Sequence, residues 1–368
     1  MAVKTYGTND PLTNKLYSKR LAVEVIAQTY SRKFMGTSPN SLNQVRNETM
    51  KAAGDRITVG LRARLTGSGV IGGNTLEGNE EAFVTRDDAI IINKLRHATR
   101  VKGQGTIEQQ RVPFDLREEA LDDLAQWWAD RTDQWFANQI SGNTSDNGDT
   151  NGTDVRYTGL QATIDPDPAH ILRPIGAADD TAVAATNDEF KIDHINNAVE
   201  VAKTTAPIIR PIRIGGQDFY VLFIHPFQVT SLRNSAGVDG SWYDIQAKAL
   251  QGGEISGNPI FTGAIGVYNQ TIIHEWNRLP TGSVGTTVAQ NARRAVFCGA
   301  QAAWCAYGQG FGPGRYNWVE KLFDYDEELG VAAGCVGGQK KSRFGGADYG
   351  TIVMTTFAQA QSGLSVTP

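Results

Sequence analysis

The stretch Gly54-Asp-Arg-Ile-Thr-Val-Gly-Leu-Arg-Ala-Arg-Leu-Thr-Gly-Ser-Gly69 carries the most information about the fold. Ile57, Val59, Leu61, Ala63 and Leu65 alternate with Arg56, Thr58, Arg62 and Arg64, a period of two that specifies a half-buried strand. The glycines from Gly67 to Gly78 follow, and then a second extended stretch, Phe83-Val84 and Ala89 through Leu95. Together these predict a long hairpin with a glycine-rich tip. A lone two-stranded hairpin is marginal in water, so this one needs a surface to lie on.

Outward from the hairpin, Leu12, Leu16, Val23, Ile26 and Tyr30 predict an amphipathic helix. Residues 1–34 carry Lys4, Lys15, Lys19, Arg20, Arg32 and Lys33 against Asp10 and Glu24. This basic arm reads either as a solvated helix face or as a segment facing an acidic neighbour or a polyanion. On the other side, Pro113, a capping-box pattern at Asp115 and Glu118, and a closing Gly142 predict a helix over 115–141. Leu121, Leu124, Trp128, Trp135 and Ile140 form its apolar stripe, and seven acids against two arginines complement the arm. Residues 142–154 are turn formers, and 142–186 is expected as an outer-surface insertion. A second helix is expected over Asp188–Thr204, a central strand at Phe219–His225, helical pieces near 226–236 and 241–251, and a last strand at Thr351–Phe357.

Composition narrows the class. The 368 residues carry 35 Lys+Arg and 39 Asp+Glu, a net charge of −4, with 7 Trp, 11 Tyr and 14 Phe. That excludes a disordered chain and argues against a dedicated nucleic-acid reader. No apolar run reaches the roughly 18 residues of a membrane span, and the N-terminus lacks a signal-peptide core. Three cysteines, Cys298, Cys305 and Cys335, form neither a disulfide framework nor a CxxC zinc pattern and read as small buried hydrophobes. The 40 glycines are the main excess.

The motifs for chemistry fail one by one. Gly67-Ser-Gly-Val-Ile-Gly72 fits GxGxxG, but Gly73, Asn74 and Gly78 follow where a helix must start. Gly337-Gly-Gln-Lys-Lys-Ser342 is not a phosphate loop, and His274-Glu275 lacks the second histidine of HExxH. Asp324 to Glu328 lacks the twelfth-position Glu of a calcium loop and reads as a solvated acidic turn. No nucleophile, base and orienter come together, so no enzyme, cofactor or metal site is expected.

The order basic arm, glycine-tipped hairpin, long helix, second helix and glycine-rich α/β region resembles the HK97-like α+β fold of tailed-phage major capsid proteins. The segments Gly54–Gly69, Leu76–Glu81, Ile91–His97 and Gly257–Tyr268 running into Ile272–Glu275 are similar to the phage N4-type major capsid family. The resemblance implies an N-arm (1–53), an extended loop (54–108), a peripheral domain with spine helix (109–216 and 345–368) and an axial domain (217–344). It implies hexamers and pentamers of an icosahedral shell around double-stranded DNA, in the virion and assembled in the host cytoplasm. Portal, a separate scaffolding protein and a decoration or cement protein are the implied partners, with no membrane. Arg62, Arg64 and Arg86 are expected to meet Asp122, Asp123 or Asp130 across subunits. Lys15, Lys19, Arg20 and Arg32 are expected to face DNA. Residues 55–93 contain no lysine, so a cross-link from the hairpin is not expected. An encapsulin-like compartment and a soluble α/β enzyme are the alternatives.

Overall fold

The computed structural model describes residues 11–48, 53–62, 65–102, 107–113, 115–144, 161–183, 188–234, 264–284, 287–309, 316–325 and 327–359. The arm begins with α1 (Pro11–Gln28) and leads to β1 (Asn43–Arg46). The hairpin is β2 (Arg56–Arg62) against β3 (Thr85–Ile91), and β4 (Asn93–Lys102) runs on from it. The long helix is α2 (Leu116–Ser141), followed by α3 (Ile192–Thr204), β5 (Gln217–Ile224) and α4 (Pro226–Asn234). The remaining strands are β6 (Ala264–Tyr268), β7 (Thr271–Glu275), β8 (Thr281–Val284), β9 (Thr287–Cys298), β10 (Ala303–Tyr307), β11 (Asn317–Phe323), β12 (Glu328–Lys341) and β13 (Thr351–Phe357).

The strands form two main sheets tied by one helix. In the first, the order is β1-β10-β12-β11, with β4 also paired to β12. In the second it is β13-β9-β5-β7-β6, with β8 added on β9. The first half of α2 packs Leu121, Leu124 and Trp128 with Leu21 and Val25 of α1 onto Trp318, Val331 and Cys335 of the first sheet. Its second half packs Phe136 and Ile140 onto Val221, Phe223 and Val296 of the second. At a rise of 1.5 Å per residue, α2 is about 39 Å long, enough to underlie both. The other face of the second sheet holds α3: Ile195, Val199 and Ala202 meet Tyr220, Leu222 and Ile224. Strand β5 is therefore apolar on both faces, which is why Phe219–Ile224 shows no polar alternation.

Asp115 and Gly142 cap α2 as expected, while Glu118, expected to complete a capping box, pairs with Arg20 of α1. The Asp115 carboxylate accepts from the Arg117 N–H at 2.8 Å. Gly142 closes the helix at φ 65°, and a Cβ there would lie 2.6 Å from the Ile164 carbonyl.

Four expectations shift. Helix α3 starts at Ile192, because Phe190 is buried and Glu189 bridges to Phe357. On α1 the inward residues are Leu21, Ala22 and Val25, while Val23 is 62% exposed. The expected insertion is tied in from 161 onward, with Gln161, His170 and Asp180 buried; residues 145–160 lie outside the described residues. The expected division at 344/345 does not follow the sheets. Strands β10, β11 and β12 lie with β4 under the first half of α2, whereas β13 pairs along β9 in the second sheet. The piece expected near 241–251 lies outside the described residues.

Candidate inter-subunit interface

The base of the hairpin is anchored within its own chain. Ile57, Ile90 and Ile92 pack with Trp304 and Phe344. Lys340 bonds Asp88, and the Arg343 N–H donates to the same carboxylate at 2.9 Å. Beyond the paired strands this cover stops. Leu65, Ile71, Leu76, Phe83 and Val84 are 61%, 81%, 60%, 63% and 49% exposed. The tip is nevertheless organised by a carboxylate. Glu81 accepts from the Thr66 and Gly67 N–H groups at 2.7 and 2.6 Å, and these hydrogen bonds hold its carboxyl below the usual range. The GxGxxG stretch thus belongs to an irregular tip and opens no helix.

The expected contact residues fall into separate places. Arg62 and Arg86 are exposed on the hairpin, Arg62 with its guanidinium 5.3 Å from the centre of the Phe83 ring. Arg64 lies outside the described residues. Asp122 and Asp123 are exposed on α2, but Asp130 bonds Arg278 of its own chain. On the arm, Lys15 and Lys19 lie in the first half of α1, and Arg32 is exposed. Arg20 bonds Glu118 of α2 at 3.1 Å. The charge complementarity between arm and helix is therefore used inside one chain. A stronger tie sits beside it, unseen in the sequence. Asp133 is buried and accepts from the Tyr30 and Ser31 N–H groups at 2.8 and 2.9 Å, and burial raises its carboxyl pKa.

A second polar feature also escaped the sequence reading. Arg294, 1% exposed, donates from Nε to Asp180 at 2.9 Å, and from Nη1 and Nη2 to the carbonyls of Gly142 and Ser283 at 2.8 and 2.7 Å. It also reaches the Ser141 carbonyl at 3.2 Å. From strand β9, one guanidinium thereby meets the negative end of α2, the neighbouring strand β8 and the returning segment around 180. Arg173 bonds the other Asp180 oxygen at 2.8 Å.

Neither feature is arranged for chemistry. Among the described residues, no group of three or more His, Cys, Asp or Glu side chains is placed to hold a metal ion. Gly337 to Lys341 belongs to strand β12 and forms no phosphate cradle. Glu328 of the acidic turn pairs with Arg100 and Lys102 at 3.1 and 3.4 Å. All three thiols are buried, and burial pushes those of Cys305 and Cys335 up to about 12. No helix among the described residues is long and apolar enough to cross a membrane.

The chain matches the family model described as phage capsid protein over residues 5–360. The chain belongs to the phage capsid protein family. It is 30% identical over 331 residues to the major capsid protein of Pseudomonas phage KPP25, covering 84% of each. The solved capsid of Ralstonia phage GP4 superposes with a TM-score of 0.78 at 32% identity, over 99% of this chain and 100% of that one. The cyanophage Pam1 capsid shares the fold, with a TM-score of 0.68 at 18% identity over 91% and 94%. This phage capsid protein has the HK97-like α+β fold and is a major capsid protein, a subunit of a phage shell. The long α2 and the projecting hairpin are the elements that the sequence pattern implied; that α2 underlies both sheets comes from the structure.

Proposed function

We propose that copies of this capsid protein form hexamers and pentamers of an icosahedral shell around double-stranded DNA, with each hairpin lying on a neighbouring copy. The observation that carries this reading is the hairpin tip, five apolar side chains 49–81% exposed on a ribbon that the described residues of its own chain cover at the base. Burying them on a neighbour would supply the apolar area that holds a shell together. Arg62, Arg86, Asp122 and Asp123 are exposed and available for contacts between copies. Such pairs are worth about 0–1 kcal/mol each and set register more than strength. Asp130, paired with Arg278, serves such contacts less well, and Arg20, paired with Glu118, is less available to DNA than the other arm cations. Lys15, Lys19 and Arg32 are the arm cations proposed to face DNA, a weak and sequence-independent contact suited to a container.

This reading places the protein in the virion, assembled in the host cytoplasm. Portal, a separate scaffolding protein and a decoration protein are the proposed partners, and no catalytic role is assigned. Electron microscopy of the purified protein tests it. Closed shells are expected; a uniform small monomer or dimer under all assembly conditions would refute it.

A further inference from the structure

Beside the Arg294 tie lies a surface cavity of about 380 Å³, away from the hairpin and the first sheet. Its charge is unbalanced. Arg294 and Arg173 line it, but both give their Nε–H to Asp180, and the other Arg294 donors go to the carbonyls of Ser141, Gly142 and Ser283. Asp165, whose Oδ1 is 3.6 Å from Arg294, and Asp179 line it as well. The carboxylates of Asp165, Asp179 and Asp180 thus outnumber the guanidiniums, and the C-terminal end of α2 adds its partial negative charge. Among the described residues, hydrogen bonds engage only Oδ1 of Asp165, from Thr144, and only Oδ1 of Asp179, from the residue 181–182 turn. Ser283, 2% exposed, lines the same wall, and its Oγ has no hydrogen-bond partner among the described residues. The rest of the lining is aliphatic, with Pro168, Ile171 and Val284.

The rim is apolar too. The Ala177 N–H donates to the Pro174 carbonyl at 3.1 Å, closing a turn with Gly176 at φ 95°, and this turn holds Ile175 fully in solvent. Val284, and Ile164 next to Asp165, are exposed as well. We propose that this cavity is the docking site for a lysine side chain of a second protein. The aliphatic stem of lysine fits the lining, and its ammonium offers donors to Asp165, Asp179 and the Ser283 Oγ. A free polyamine carries the same ammonium but leaves Ile175 and Ile164 uncovered; an apolar rim around a charged pocket suits a protein surface. The site is separate from the contacts proposed between copies and does not depend on them.

Titration of the subunit with short probes, followed by ligand-observed NMR, tests the assignment. The peptide acetyl-Leu-Lys-Leu-amide should bind saturably. Acetylating its lysine, or making Asp165→Asn/Asp179→Asn in the protein, should weaken binding at least about tenfold, because each removes one side of a charge-assisted contact. Asparagine keeps an acceptor at the 179–182 turn, and an unchanged urea midpoint shows that the variant folds. Cadaverine, with the stem and ammonium but no apolar flanks, should bind at least about tenfold more weakly than the peptide. Ile175→Ser/Val284→Ser should bring the peptide down to the cadaverine level. Equal affinities for cadaverine and the peptide overturn the docking site in favour of a free polyamine. Absence of peptide binding, indifference to acetylation, or equally tight binding of acetyl-Leu-Glu-Leu-amide overturns it outright. A peptide that binds the free subunit but not shells built from this chain alone assigns the cavity to a second copy and overturns the second protein. None of these outcomes touches the proposed function, which the formation of shells decides.

Discussion

Arg294 and the hairpin tip solve opposite problems with the same kinds of groups. Around Arg294 every polar partner comes from the same chain: two helix-end carbonyls, a strand carbonyl and the carboxylate of Asp180, which is 0% exposed. At the tip, charged and apolar side chains stand in solvent together, and the hydrogen bonds are local ones, from backbone N–H groups to Glu81 and Glu80 and across the turn at 76–79. One region is finished when the chain folds. On the proposed assembly, the other is finished only when a second molecule arrives. Stability of the subunit and competence to assemble should therefore respond to different substitutions.

The largest effect on the subunit is expected at the finished region. Arg294→Met leaves the buried Asp180 with Arg173 as its remaining cation and strands the carbonyls of Ser141, Gly142 and Ser283. Breaking such a pair costs roughly 3–5 kcal/mol, readable as a lower urea midpoint of the unassembled subunit. A loss under about 1 kcal/mol would mean that water replaces the guanidinium, and the contrast between the regions would weaken.

A smaller, pH-dependent effect is expected at His225. Burial, with a minor contribution from the Arg293 charge, lowers its pKa to about 4, and its Nδ1 accepts from the Phe227 N–H at 3.2 Å. The folded subunit keeps this imidazole neutral while the unfolded chain takes up a proton near its ordinary pKa of about 6.5. The unfolded state thus binds more protons between those values, and stability falls as pH drops from about 6.5 to about 4. His225→Asn retains an acceptor at the start of α4 and should flatten this slope. Equal slopes for both proteins across that window would assign the acid sensitivity elsewhere.

Asp115→Ala removes the cap of α2 and should cost about 1 kcal/mol, seen as a small shift in the thermal midpoint. The smallest effect on the subunit sharpens the comparison most. Leu76→Ser/Phe83→Ser should change unassembled stability by no more than about 0.5 kcal/mol, as surface substitutions do. Shell yield should nonetheless collapse. If the urea midpoint fell as far as in Arg294→Met, the tip would have to be covered by its own chain.

What could be read from the sequence follows the same line. The hairpin strands, both ends of α2 and the apolar β5 were legible because their signals are local. Ile57, Val59 and Leu61 alternate within one strand, Asp115 caps within two residues, and Gly142 ends the helix where it stands. The partition of strands between sheets was not legible. Thr351–Phe357 is plainly a strand, but nothing in it says that it pairs with 292–298. The same holds for Asp180 and Arg294, 114 residues apart, and for Asp133, whose partners lie over a hundred residues earlier. Acids on α2 look alike in sequence; only the fold gives Asp130 and Glu118 a cation within the chain and leaves Asp122 and Asp123 exposed. On the first sheet, the alternation on β4, β11 and β12 marks one face as exposed, yet pairing across strands is what gathers Lys94, Arg96 and Lys321 into one patch.

The three buried cysteines have a practical corollary. With Cys298, Cys305 and Cys335 enclosed and their thiols held protonated, the native subunit offers alkylating reagents almost no thiolate. A single cysteine introduced on the exposed tip, for example Asn74→Cys, would be the one addressable thiol of the folded protein. A fluorophore attached there would report, copy by copy and in real time, the moment at which a tip leaves solvent.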